Sequence, residues 1–196
     1  MSHPLQESFE PTVLCPDDAY APCRLERGRP VREVGEEAVW RVSSFRAEHD
    51  VNNLRDDSLE TFWQSDSIQP HHVYIQFPRK TAIGVIYIYT DYKKDESYTP
   101  ARISVRAGVP FGDLHEVLGV NLQEPSGWVR IPIQDESGRP VRTFFLQITV
   151  LTNHLNGQDT HLRQIKLFSP LPHGDVSVLR NVRFTSPECR MFSCIR

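Results

Sequence analysis

The chain has 196 residues, 24% of them charged, and a formal net charge of −3; that length suits one domain with its own core, and that charge is too small and too mixed in sign for a nucleic-acid surface. Hydrophobic residues at 39% and aromatics at 10% exclude a disordered chain, while the longest apolar run, residues 82–89, falls far short of the roughly 18 needed to cross a membrane. Cys15, Cys23, Cys189 and Cys194 lie near the ends with no CxxC spacing, which excludes a secreted disulfide scaffold and a zinc module.

In chain order, residues 1–30 contain Pro4, Pro11, Pro16, Pro22 and Pro30 and no hydrophobic periodicity, so a flexible leader is expected. Its first residues have neither a basic start nor an apolar stretch, so no secretory signal is visible and an intracellular protein, in nucleus and cytoplasm, is expected. Residues 31–170 form the body. Residues 51–63 hold its helical candidate, a single turn capped by Asn52 or Asn53, after which Phe62 and Trp63 enter the core. Trp63 and Trp128 are both expected to be buried. Asp56 and Asp57 could hold a structural Ca2+ with nearby carbonyls, but the simpler reading is that they cap this turn and pair with Arg55. His71 and His72, after Pro70, read as an exposed turn feature rather than a ligand pair, and no metal is expected. Residues 73–77, 83–90, 103–107, 128–133, 144–152 and 162–168 then read as short strands, rich in β-branched and aromatic residues and divided by turn chemistry such as Pro125-Ser-Gly127 and Asn156-Gly157. Ile103, Val105 and Ala107 share one face of their strand. Many short strands with no sustained helical stripe predict an all-β antiparallel sandwich or barrel. Residues 171–196 form a net basic tail.

A nucleophile elbow, a phosphate-binding glycine loop and a zinc-protease helix are all missing, so no catalytic residue is assigned. The pairs Asp56–Asp57 and Asp95–Glu96 are adjacent residues whose side chains point apart, and loop carboxylates of this kind are usually just solvated. His154 and His161 match no common zinc spacing. The loops 91–100 and 153–161 stand out, because each combines hydrogen-bonding side chains with a ring or imidazole, the mixture that peptide- or glycan-binding loops use; ordinary polar hairpins fit them equally well. The terminal Ile195-Arg196 offers an apolar side chain, a guanidinium and a carboxylate, though as a dipeptide it carries almost no information.

Residues 38–44 (AVWRVSS), 54–66 (LRDDSLETFWQSD), 69–71 (QPH), 88–100 (IYTDYKKDESYTP), 103–106 (ISVR), 124–128 (EPSGW) and 153–165 (NHLNGQDTHLRQI) resemble, in order, the blocks of the DOC-domain family. The resemblance covers roughly residues 31–170 and implies a galactose-binding-like jelly roll. DOC domains also occur in larger ubiquitin ligases, but a chain of this length ending in Ile-Arg is similar to the stand-alone subunits of the anaphase-promoting complex, or cyclosome. It implies a non-catalytic part of that ligase, which holds a cullin–RING core and needs no cofactor from this chain. It also implies that Ile195 and Arg196 dock into a scaffold subunit built of tetratricopeptide repeats. With a WD40 activator, members of the family form a co-receptor for destruction-box degrons and promote processive ubiquitination in the cell cycle. Carried onto this sequence, Ser97 and Asn156 are expected to contact the degron, with Tyr98, Gly157, Asp159 and His161 in support. The alternatives are a carbohydrate-binding jelly roll, which sugar binding on a glycan array would favour, and an enzyme, which turnover by the isolated chain would favour.

Overall fold

Residues that alternate apolar and polar along the chain bury one face of each strand against a facing sheet. The computed structural model describes residues 11–14, 18–27, 29–110 and 112–171. The strands are β1 (Thr12–Leu14), β2 (Val31–Glu33), β3 (Val39–Val42), β4 (Trp63–Gln64), β5 (His71–Ile83), β6 (Val85–Asp91), β7 (Pro100–Gly108), β8 (His115–Asn121), β9 (Ser126–Pro132), β10 (Val141–Asn153), β11 (His161–Leu162) and β12 (Gln164–Pro170). The helices are α1 (Ala21–Leu25) and α2 (Tyr92–Asp95), with 3-10 turns at Gly35–Glu37, Val51–Leu54, Glu96–Tyr98 and His154–Asn156.

One five-stranded sheet has the order β1-β9-β6-β12-β2 and the other β3-β5-β10-β7-β8, and a small ribbon pairs β11 with β4. Neighbouring strands run antiparallel throughout. Between the sheets lie Trp40, Trp63, Ile75, Ile88, Ile103, Val105, Ile131, Ile148 and Leu167. The expected all-β sandwich is what forms, and Ile103, Val105 and Ala107 do share the inward face of β7. β3 and β8 lie outside the strands expected from the sequence; main-chain pairing with β5 and β7 adds them to the second sheet.

The expectation of a flexible leader over residues 1–30 needs correction for its described part. β1 extends the first sheet beside β9, and α1 carries Pro22 in its first turn, where a missing N–H costs nothing. The reason is an aromatic outer face. Tyr87, Tyr89, Trp128 and Phe168 project from β6, β9 and β12 away from the core, and Ala21, Leu14 and Cys23 pack on them. The Trp128 indole donates to the Asp18 carbonyl at 2.9 Å, and the Tyr87 hydroxyl donates to buried Glu26 at 2.6 Å. Burial first, then the bond to Glu26, pushes the Tyr87 phenol up to about 12. Trp63 and Trp128 are both fully buried, but Trp128 lies under this N-terminal segment, not between the sheets.

The turn at 51–54 also differs from expectation. Asp50, not Asn52 or Asn53, is its cap, accepting from the Asn52 N–H at 2.7 Å. Asp56 accepts from the Ser58 N–H, the Thr61 hydroxyl and the Gln164 amide at 3.0, 2.6 and 2.6 Å. Asp57 pairs with the buried Lys166, and Arg55 lies 5.3 Å over the Trp40 ring instead of beside either aspartate. With Asp56 filled by donors and Asp57 by a cation, neither carboxylate faces an open oxygen cage. Among the described residues no group of three or more His, Cys, Asp or Glu side chains could hold a metal ion.

Candidate functional site

The loops 91–100 and 153–161 both cross between the two sheets, the first from β6 to β7 and the second from β10 through β11 to β12, and meet at one end of the sandwich. In the first, α2 and the following 3-10 turn lift Ser97 and Tyr98 above the sheet, with Glu96 at a φ of 43° between them. In the second, Leu155 and Asn156 follow one another in the left-handed region at φ of 51° and 56°. This is a conformation that L-residues other than Asn and Asp enter at a cost. The His154 N–H donates to the Thr99 carbonyl at 2.9 Å and joins the loops. Gly157 makes them touch. A Cβ there would lie 1.8 Å from the Ser97 carbonyl oxygen, although its own backbone, φ −60° and ψ 141°, suits any residue. The close approach that Gly157 permits is to Ser97.

A third segment, residues 65–71, closes the arrangement. The Gln69 amide donates to the Gly157 carbonyl at 2.7 Å, and the His71 Nε2 lies 2.6 Å from the Gln158 carbonyl. The Thr160 N–H donates to the Ser65 hydroxyl at 2.9 Å, and the Ser65 hydroxyl bonds Asp159 at 3.4 Å. His71 is therefore fully buried, which corrects its reading as an exposed turn residue. His72 faces the other way, its Nδ1 3.1 Å from the Thr149 hydroxyl. Beneath, the Asn153 amide donates to the carbonyls of Gly157 and Asp159 at 3.3 and 2.7 Å. One buried side chain thus organises the return of the loop.

A column of rings runs through the site. His49 stacks on Phe62 at 4.3 Å, Phe62 on His161 at 4.1 Å, and His161 on Tyr98 at 4.2 Å and 14°. Phe62 is thereby half-buried in the column and not in the core. Beside it, Asp95 takes His161 Nδ1 at 3.1 Å and two guanidinium nitrogens of Arg163 at 3.0 and 2.7 Å. Burial alone would raise the Asp95 carboxyl; the hydrogen bonds from His161 and Arg163 outweigh it and hold the group below the usual carboxylate range. Arg163 donates onward to the carbonyls of Leu59 and Glu60 at 2.9 and 3.2 Å. Asp95 is filled by donors. It braces the loops and is not placed to take a proton from a substrate.

Ser97, Tyr98, Asn156, Gly157, Asp159 and His161 therefore gather at one end of the molecule. Tyr98 and Asn156 are exposed, Ser97, Asp159 and His161 half-buried. The exposed pair offers an amide and a phenol, with the half-buried Ser97 hydroxyl beside them, groups that donate to and accept from an extended backbone. Ile195 and Arg196 lie outside the described residues. Sequence reasoning missed Asp95, Arg163, Phe62, Gln69 and His71 as parts of the site, because each acts across a sequence separation that a one-dimensional pattern does not report, and it missed Asn153 because a local bond inside a loop leaves no periodic signal.

Residues 15–194 match the family described as "Anaphase-promoting complex, subunit 10". Proteins of that name from Mus musculus and Homo sapiens are each 50% identical over 175 residues, covering 89% of this chain and 94% of each relative. The one from Dictyostelium discoideum is 45% identical over 168 residues, 84% of this chain and 86% of its own length. Among solved structures, the family 32 carbohydrate-binding module of Clostridium perfringens NanJ, in complex with galactose, aligns with a TM-score of 0.60 at 12% identity, over 71% of this chain and 99% of that one. A family 32 module from a family 31 glycoside hydrolase of the same organism also gives 0.60, at 13% identity over 70% and 94%. At such identity these neighbours show the fold, a galactose-binding-like jelly roll, and nothing about a ligand.

Proposed function

The chain belongs to the subunit 10 family of the anaphase-promoting complex, and from that premise we propose that it is a non-catalytic substrate receptor of this ubiquitin ligase, binding destruction-box degrons jointly with a WD40 activator. The single observation that carries the reading is the contact of Gly157 on Ser97. It locks together the very loops that the DOC resemblance marks for degron binding, so that Ser97, Tyr98 and Asn156 share one surface. The arrangement suits a peptide better than a reacting centre. Its carboxylate Asp95 is paired with Arg163 and hydrogen-bonded to His161, and its rings are stacked on one another. A contact of this size is weak alone and gains strength when the activator holds the other part of the same peptide. The Ile195-Arg196 terminus would hold the subunit to a tetratricopeptide-repeat scaffold by the same arithmetic, and would place it beside the cullin–RING core in the nucleus and cytoplasm of the cell.

The test replaces Ser97→Ala together with Asn156→Ala in the full chain. Processive ubiquitination of a destruction-box substrate is expected to fall, with incorporation into the complex unchanged. Normal processivity at equal incorporation removes these loops from the receptor surface.

A further inference from the structure

The sandwich has two outer faces, and they are treated differently. That of β1-β9-β6-β12-β2 is aromatic and lies under the chain's own residues 18–26. That of β3-β5-β10-β7-β8 is open. Its strand register aligns outward side chains in a row: Arg41 opposite Tyr74, Tyr74 opposite Gln147, Gln147 opposite Arg106, and Arg106 opposite Glu116. A second row brings Val39 to Gln76 and Gln76 to Phe145. Beside these rows Val39, Leu114 and Phe145 line a groove of about 230 Å3, and Val39 is 56% exposed.

The charge on this face has one dominant sign. Arg41, Arg102 and Arg106 stand on it with no ion pair among the described residues, while Glu116 is turned back onto the Ser104 hydroxyl. The Arg106 Nε is buried and has no hydrogen-bond partner. Burial, and then the nearby Arg106 and His71, hold the His72 imidazole below its ordinary value, so the face keeps its cations at neutral pH in the arginines. The whole chain has a net charge of −3. A basic, half-apolar sheet face on an acidic chain is a local feature, and its exposed guanidinium groups on Arg41 and Arg102 are charges that an acidic partner can pair.

We propose that the outer face of β3-β5-β10-β7-β8 is a second docking surface, which takes an acidic segment of another subunit of the anaphase-promoting complex, with carboxylates against Arg41, Arg102 and Arg106 and an apolar side chain in the groove beside Val39 and Phe145. The proposal rests on membership of the complex. It is independent of the degron reading, because the surface is built from strand interiors and shares no residue with the loops at Ser97 and Asn156.

The experiment uses the full chain and a complex lacking this subunit, treated with nuclease, and measures association over a range of salt concentrations. Arg41→Glu with Arg102→Glu changes two exposed residues and is expected to leave the melting temperature unchanged. It should weaken association about tenfold and flatten its salt dependence, since charge contacts of this kind govern both. Arg106→Gln, which keeps the size of the side chain and removes its charge, should show a smaller loss in the same direction. Unchanged association in the double variant overturns the proposal. So does a loss that keeps the wild-type salt slope, which would make the contact apolar. If nuclease alone abolishes association, the occupant is a nucleic acid; if the isolated chain is a dimer that the double variant dissociates, it is a second copy. Either result also overturns it. Degron crosslinking at Ser97 and Asn156 is expected to persist in the variant, so failure here and failure of the receptor reading are told apart.

Discussion

Gly157 and Asp95 hold the candidate site together in different ways. Gly157 is required by space, since any side chain would meet the Ser97 main chain. Gly157→Ala must therefore push the loops apart, at a cost of about 1–3 kcal/mol for overpacking. A lower urea midpoint, together with degron crosslinking reduced as far as in the Ser97→Ala, Asn156→Ala variant, is the expected result, even though every polar group of the site is retained. Asp95 is required by charge. Its 7% exposure leaves Arg163, at 4%, buried against it. Its carboxyl lies below the ordinary range, so its stabilising effect is fully present above the unfolded value of about 3.9 and is lost as the pH falls through the still lower folded value. Acid titration of the melting temperature should show a fall below about pH 4, and Asp95→Asn should flatten that limb while lowering stability at pH 7.

At the scale of elements, the N-terminal segment and the outer sheet face explain one another. Tyr87, Tyr89, Trp128 and Phe168 would leave a contiguous aromatic surface in water if β1 and α1 were removed, and burial of even one such side chain contributes about 1.5–3 kcal/mol. Deleting residues 1–27 is expected to lower the melting temperature, shift Trp128 fluorescence to the red and raise binding of a hydrophobic dye. A truncated chain with the wild-type melting temperature would show that the segment adds nothing to the fold. The loops have the opposite character. Their left-handed residues Glu96, Leu155 and Asn156 are strained positions held by the strands around them, where a rigid sandwich carries the cost of a shaped surface.

Over the whole molecule, the proposed functions fall in separate places: loops at one end, an open basic sheet face, and a terminus. If Ile195 and Arg196 are the tether, their deletion should lower recovery of the chain on the complex severalfold without changing its melting temperature, as affinity purification of both forms with mass spectrometry would measure. Equal recovery would assign attachment to the body alone, where the Arg41, Arg102 and Arg106 face is the candidate. Because linked contacts multiply, the tail deletion and the face variant together should reduce association by more than either does singly.

By itself the sequence determined the class of the fold, since period-two alternation in residues 73–77, 83–90, 103–107 and 162–168 has one low-energy solution, strands with a shared buried face. It also singled out two loops that the structure brings into contact, because Asn, Ser, Tyr, His and Gly in residues 91–100 and 153–161 are a composition that remains visible without a structure. What it could not show were long-range partnerships: Asp95 with Arg163, Gln69 with Gly157, Asp57 with Lys166 rather than Arg55. Nor did it show that residues 12–14 and 21–25, within a proline-rich stretch, would form a strand and a helix. Their order comes from the aromatic surface of Tyr87 and Trp128. A hydrogen bond or a buried ring contact depends on distance in space, and only the packing of the two sheets brought those atoms within reach.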